Sequence, residues 1–146
     1  MSNDDSSIEI NFIDHVAIRV KDFERSIEWY KKVLGLKKHQ LPKWNPYPIF
    51  LLAGKCGVAL FPADINSPNA NNDSSLVKID HFAFNVSNDS FHKAKNKYKD
   101  LGLEFTVKDH HYFHSIYTKD PDGHIVELIT IMVDEDSFYK INKKHH

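Results

Sequence analysis

Apolar and polar residues alternate along Ile10–Val20 and again along Lys78–Val86, the period-two pattern of a strand with one buried face. Each run is followed by apolar residues at helical spacing. In the first case these are Phe23, Ile27, Tyr30 and Leu34, and in the second Ala94, Tyr98 and Leu101. Asp22 and the cluster Ser87-Asn88-Asp89 stand where helix N-caps belong, and Gly35 and Gly102 where a left-handed C-terminal residue belongs. Three short strands are predicted after each helix. They are Leu36–Leu41, Pro48–Ala53 and Gly57–Phe61, then Leu103–Val107, Tyr112–Lys119 and His124–Thr130. Gly54-Lys55 and Asp120-Pro121-Asp122-Gly123 supply the turns between the last two strands of each set.

The order strand, helix, three strands therefore occurs twice, and the residues repeat with it. Asp14-His15-Val16-Ala17-Ile18-Arg19-Val20 returns 66 positions later as Asp80-His81-Phe82-Ala83-Phe84-Asn85-Val86. An internal duplication is the simplest account. The predicted organisation is α+β: a disordered lead at 1–9, a βαβββ module at 10–62, and a linker at 63–77 rich in Asn, Asp, Ser and Pro. A second module spans 78–130 and completes a single domain of residues 10–130, and a tail at 131–146 carries a short helix.

Composition narrows the class. The chain has 146 residues, 41% hydrophobic, enough for one packed domain. Lys and Arg number 19 against 20 Asp and Glu, so no global field favours nucleic acid or an anionic membrane as a partner. No apolar run is long enough to span a bilayer. The start, MSNDDSSIEI, lacks the basic and apolar regions of a secretory signal, and the single Cys56 excludes an internal disulfide framework. A cytoplasmic location is expected.

Strand alternation sorts each repeat into two faces. Val16, Ile18 and Val20 should pack beneath the helix, leaving His15, Ala17 and Arg19 on the other side. Phe82, Phe84 and Val86 likewise leave His81, Ala83 and Asn85. Two histidines at duplicated positions, both away from the helix-packed core, suggest ligands facing a cavity between modules. Glu127 is the candidate third ligand: it lies between Ile125 and Ile129, where a lone carboxylate is costly without a partner. Two imidazoles and a carboxylate leave coordination positions open for one divalent metal ion, with Fe, Mn, Ni and Zn all compatible.

Together, the repeated D-H-x-A-x-x-V, the helix Ser26-Ile27-Glu28-Trp29-Tyr30 leading to Leu34-Gly35-Leu36, and Tyr117 followed by Asp120-Pro121-Asp122-Gly123-His124-Ile125-Val126-Glu127-Leu128 resemble the vicinal oxygen chelate superfamily. This group includes glyoxalases, fosfomycin-resistance and bleomycin-resistance proteins, and extradiol dioxygenases. The resemblance covers about residues 10–130. It implies two βαβββ modules forming a cupped mixed sheet, a homodimer, a small-molecule substrate, and a metal held by His15, His81 and Glu127. Glyoxalases with a fourth ligand take it from the last strand of the first module. Matching Glu127-Leu128-Ile129 to Ala59-Leu60-Phe61 puts Ala59 there, whereas counting from Gly57 puts Phe61 there; neither can ligate. The resemblance further implies a catalytic role for Tyr117 beside Glu127, with packing of the sheet an equal alternative, and His110-His111-Tyr112-Phe113-His114 lie nearby as acid/base candidates. His114, of opposite strand parity to Tyr117, is expected to be exposed. Arg19, Asn85, Trp44 and Tyr47 are expected to touch substrate, with packing an equal alternative for the two aromatics. The reactions implied first are those of a metal-dependent lyase or isomerase, or extradiol ring cleavage. Thiol transfer of the fosfomycin-resistance type and a non-catalytic binding protein of the bleomycin-resistance type are the alternatives.

Overall fold

The computed structural model describes residues 11–64 and 79–143. The first module runs β1 (His15–Val20), α1 (Phe23–Leu34), β2 (Lys37–His39), β3 (Ile49–Ala53) and β4 (Cys56–Pro62), with a single 3-10 turn at Pro42–Trp44. The second runs β5 (Phe82–Asn85), α2 (Asn88–Asp100), β6 (Phe105–Asp109), β7 (Phe113–Lys119) and β8 (Ile125–Ile131). A last helix, α3 (Glu135–Lys143), follows in the tail. Both modules thus have the predicted order. The lead at 1–9 and all but the first two residues of the linker lie outside the described residues. The opening strands are shorter than predicted because pairing starts only where β1 meets Gly57 and β5 meets Val126.

Each module makes one four-stranded sheet, in the orders β1-β4-β3-β2 and β5-β8-β7-β6. The opening strand pairs in parallel with the last, and the remaining pairs are antiparallel. The helix boundaries follow local chemistry. The Asp22 side chain accepts from the Arg25 amide at 3.1 Å, and Gly35 closes α1 at φ 70°, a conformation that a Cβ would strain. Ser87 caps α2 through the Ser90 amide at 3.1 Å.

Tyr30 and Leu36 join Ile18, Val20, Ile49, Leu51, Val58 and Leu60 in one core, to which β8 contributes Val126. Val33 of α1 joins Phe91, Tyr98, Ile116 and Leu128 in the other, and Trp29, Leu34 and Phe84 pack against both. Phe91, which the helical spacing did not single out, is among the most deeply buried aromatic residues of α2. The modules therefore meet on their helix sides, with α1 as the shared wedge. The opposite faces, carrying His15, Ala17 and Arg19 or His81, Ala83 and Asn85, turn away from the core.

Polar bonds at the Asp120–His124 turn lock this arrangement. The buried Tyr30 hydroxyl donates to Asp120 at 2.7 Å, Ser26 donates to Asp122 at 3.3 Å, and Arg25 donates to the Pro121 carbonyl at 2.7 Å. Burial, and then the Asp120 charge, push the Tyr30 phenol far above its ordinary value, so it stays a donor. No helix among the described residues is long and apolar enough to cross a membrane.

The tightest backbone approach is at Gly57 in β4. A methyl group there would overlap the Leu51 carbonyl oxygen and lie 3.0 Å from the Leu52 Cα, main-chain atoms that cannot step aside. Gly57→Ala is expected to cost about 3 kcal/mol of stability, as overpacking against backbone does. Urea unfolding reads this as a lowered midpoint with an unchanged slope. An unchanged midpoint would show that β3 can shift.

Candidate functional site

Register decides which residues share the face opposite the helices. In the second module His81, Ala83 and Asn85 continue across the sheet through Glu127, which pairs with Ala83, and Tyr117, which pairs with Glu127. On β6, Thr106 and Lys108 complete this wall opposite Tyr117 and Ser115. The first module repeats the arrangement: Ala17 pairs with Ala59, Ala59 with Phe50, and Phe50 with His39. Ala59 is therefore the counterpart of Glu127, as the sequence match of the two last strands placed it, and Phe50 is the counterpart of Tyr117.

Each duplicated histidine is held by the aspartate before it. Asp14 Oδ2 lies 2.8 Å from His15 Nδ1, and Asp80 Oδ2 lies 2.8 Å from His81 Nδ1. Such a bond fixes the ring and leaves Nε2 as the ligating nitrogen. His81 Nε2 stands 2.9 Å from Glu127 Oε1, and Glu127 is buried, with 4% of its surface exposed. Two lone pairs facing each other at that distance need a cation between them, a proton or a metal ion. This donor set fits a metal.

His15 does not join them. Its ring packs against Phe50, with centroids 5.0 Å apart, on the other sheet. Among the described residues no group of three His, Cys, Asp or Glu side chains gathers to hold a metal. The cause is the helix-side packing described above, which sends the two ligand faces away from one shared core. A cleft of about 350 Å³ does run between β1 and the start of β5, lined by Val16–Arg19 and Ile79–Phe82, but His15 lies outside it.

Tyr117 sits where expected, its ring 5.7 Å from that of His81. Burial first, then the negative Glu127, raise its pKa, keeping the hydroxyl protonated at neutral pH. His110 Nε2 lies 3.0 Å from this hydroxyl. A tight turn makes the contact: His111 adopts φ 68° while its amide donates to Asp109 Oδ1 at 2.8 Å, which folds His110 back over β7. Lys108 places its ammonium 5.6 Å from the Tyr117 ring centre. Lys108 and Lys119 line an open cavity of about 1000 Å³ with His81, Tyr117 and Thr106. Ser115, two residues before Tyr117 on the same face, is fully buried, and its hydroxyl has no partner among the described residues.

The remaining candidates are more dispersed. Arg19 donates to the Pro62 carbonyl at 2.9 Å, which anchors it along the end of β4. Trp44 stacks on Phe50 at 5.1 Å, making a row with His15. Tyr47 packs on Phe23 and Phe61 at 6.4 and 6.2 Å, yet stays 45% exposed. Asn85 is exposed at the end of β5. His114 turns to the helix side against Phe91 at 6.4 Å and is half-buried rather than exposed. Only the turn geometry reveals His110 as the partner of Tyr117.

Residues 12–128 match the Glyoxalase/Bleomycin resistance protein/Dioxygenase superfamily. The chain belongs to that superfamily. It is 34% identical over 140 residues to the metallothiol transferase FosB of Lysinibacillus sphaericus, covering 93% of this chain and 94% of that one. It is 26% identical over 116 residues to the glutathione transferase FosA of Serratia marcescens, covering 80% and 78%. Among solved structures, a glyoxalase/dioxygenase from Nostoc punctiforme superposes with a TM-score of 0.68 at 17% identity, covering 87% of this chain and 100% of that one. The two-module fold is thereby confirmed. The lyase and dioxygenase expectations gain no such sequence support, since these relatives carry the names of transferases.

Proposed function

We propose that this chain is a metal-dependent thiol transferase acting on a small electrophile that carries an oxyanion, such as the phosphonate epoxide fosfomycin. The observation that carries this reading is His81, 2.9 Å from the buried Glu127, lining a cavity whose walls also bear Lys108 and Lys119. Its likeness to FosB and FosA supports the same reading. His81 and Glu127 would hold the divalent ion, with His15 from a second copy of the chain as third ligand, because one chain keeps its own His15 on a separate face. A homodimer that exchanges modules in this way makes two equivalent sites. Bound metal supplies Lewis acidity toward the substrate oxygen whose bond breaks.

The chain's own residues do the rest. Lys108 and Lys119 attract and orient the oxyanion, and the Tyr117 hydroxyl offers it a hydrogen bond. The thiolate sulfur attacks an epoxide carbon, a C–S bond forms as the C–O bond breaks, and the alkoxide takes up a proton. His110 holds the Tyr117 hydroxyl in place. His110→Ala is expected to lower kcat/KM about 10-fold, the scale of losing one well-placed hydrogen bond, with metal content unchanged. Unaltered kinetics would reduce the His110–Tyr117 contact to packing.

The test of function is a substrate panel on metal-loaded protein. Thiol-dependent loss of fosfomycin, without oxygen uptake on catechols or conversion of methylglyoxal and glutathione, is the expected result. Oxygen uptake or methylglyoxal turnover in place of fosfomycin loss would replace this reading with a dioxygenase or a lyase.

A further inference from the structure

A thiol transferase needs a place for its second substrate, and the charge distribution of the first module supplies a candidate. Residues 29–63 contain Lys31, Lys32, Lys37, Lys38, Lys43 and Lys55 and no Asp or Glu, although the whole chain carries 20 acidic residues against 19 Lys and Arg. The rest of the chain is therefore net acidic. All six lysines are exposed. Two of these lysines, Lys37 and Lys38, line an open groove of about 540 Å³ between β2 and the end of β3, with Gly35, His39, Leu52, Ala53 and Gly54 along its walls.

Register ties this groove to the ligand face. Lys37 pairs with Leu52 and His39 with Phe50, and Phe50 touches both His15 and Trp44. A ligand anchored at Lys37 and His39 thus has an aromatic path along Phe50 toward the histidine expected at the metal. Edge strands commonly carry lysine to block strand-to-strand pairing. That accounts for Lys37 and Lys38 taken alone. It does not account for the complete lack of carboxylates over residues 29–63, since the equivalent edge in the second module mixes Lys108 with Asp109.

We propose that the groove lined by Lys37, Lys38 and His39 binds the carboxylate end of an anionic thiol co-substrate, leaving its sulfur free to extend along Phe50 toward the metal. This rests on the thiol-transfer reading above. The oxyanionic electrophile then occupies the Lys108 and Lys119 wall, so the two substrates are held by cations of different modules.

S-methylglutathione, which carries the carboxylates of glutathione but no reactive sulfur, is the direct probe. Titration of the full chain, followed by calorimetry, should show saturable binding that weakens with salt, as exposed charges require. Binding should fall at least 10-fold in the double variant Lys37→Glu/Lys38→Glu, with Lys37→Gln/Lys38→Gln as the milder form and Lys93→Glu on α2 as an unaffected control. In turnover, KM for glutathione should rise by the same factor, with KM for fosfomycin unchanged and the rate with uncharged 2-mercaptoethanol unchanged. No saturable binding at tens of millimolar, or equal binding by the double variants and the parent, overturns the proposal. The two readings fail separately. Lysine-dependent binding without thiol transfer keeps the groove and removes the transferase, whereas transfer with an unchanged KM for glutathione removes the groove and keeps the transferase.

Discussion

Replacing Glu127 with alanine is expected to lower activity at least about 100-fold while leaving the fold in place. Glu127 is buried, its carboxylate meets the His81 imidazole at 2.9 Å, and the Tyr117 hydroxyl lies against it. Loss of an outer-shell partner alone typically costs 10–100-fold in metal affinity, and a ligand should cost at least about 100-fold. The physical readout is thermal stability with and without metal. Ion at about 100 times its dissociation constant stabilises the native state by roughly 2.7 kcal/mol. That corresponds to a rise of about 10 °C in Tm for a domain of this size. The variant should show almost none of this rise, and its metal-free Tm should be close to that of the parent. A full metal-induced rise in Glu127→Ala would remove Glu127 from the ligand set.

The second large effect concerns what holds the modules together. Asp120 accepts from the buried Tyr30 hydroxyl at 2.7 Å and from the Asp122 and His124 amides at 2.9 and 2.8 Å. Asp120→Ala strands all three donors, one of them deep in the interface between α1 and the β7–β8 turn. Breaking a buried network of this kind costs about 3–5 kcal/mol, whereas Tyr30→Phe, which deletes one hydroxyl, should cost about 1 kcal/mol. Denaturant unfolding of both single variants and the double variant gives the coupling. Additive losses would mean that the two side chains act independently. The pH dependence follows from the raised Tyr30 phenol. In the unfolded chain it ionises near its usual value of about 10, and in the folded protein only well above that. The stability it contributes is fully present below pH ~10 and is lost as pH climbs beyond, an alkaline sensitivity that Tyr30→Phe should lack.

Much of this architecture can be read in the chain because it is local. The two strand-helix-strand patterns, Asp22 as a cap, Gly35 at the end of α1 and the Asp120–Gly123 turn each depend on residues a few positions apart. Strand parity put His15, His81 and Glu127 on ligand faces, and pairing of Ala17 with Ala59 and of Ala83 with Glu127 bears out the match between the last strands. Periodicity could not show that the two modules pack helix side to helix side. That choice depends on tertiary complementarity around Trp29, Val33 and Leu34, and it separates His15 from Glu127 within one chain. Nor could it show His110 reaching Tyr117, because a non-glycine residue at positive φ, His111, makes that turn. Trp44, expected in the segment after the second strand, lies in a short 3-10 turn where it stacks on Phe50.

In the proposed dimer, each metal site is completed between two copies of the chain. Mixing two inactive variants is the decisive experiment. His15→Ala and Glu127→Ala are unfolded together, refolded as an equimolar mixture with metal, and assayed for bound metal against each variant refolded alone. In a module-exchanged dimer, the heterodimer rebuilds one site from the intact His15 of one copy and the intact His81 and Glu127 of the other. Statistical mixing should then recover about a quarter of the parental metal content. Recovery no greater than that of the separate variants would rule out a site shared between copies and place all the ligands within a single chain.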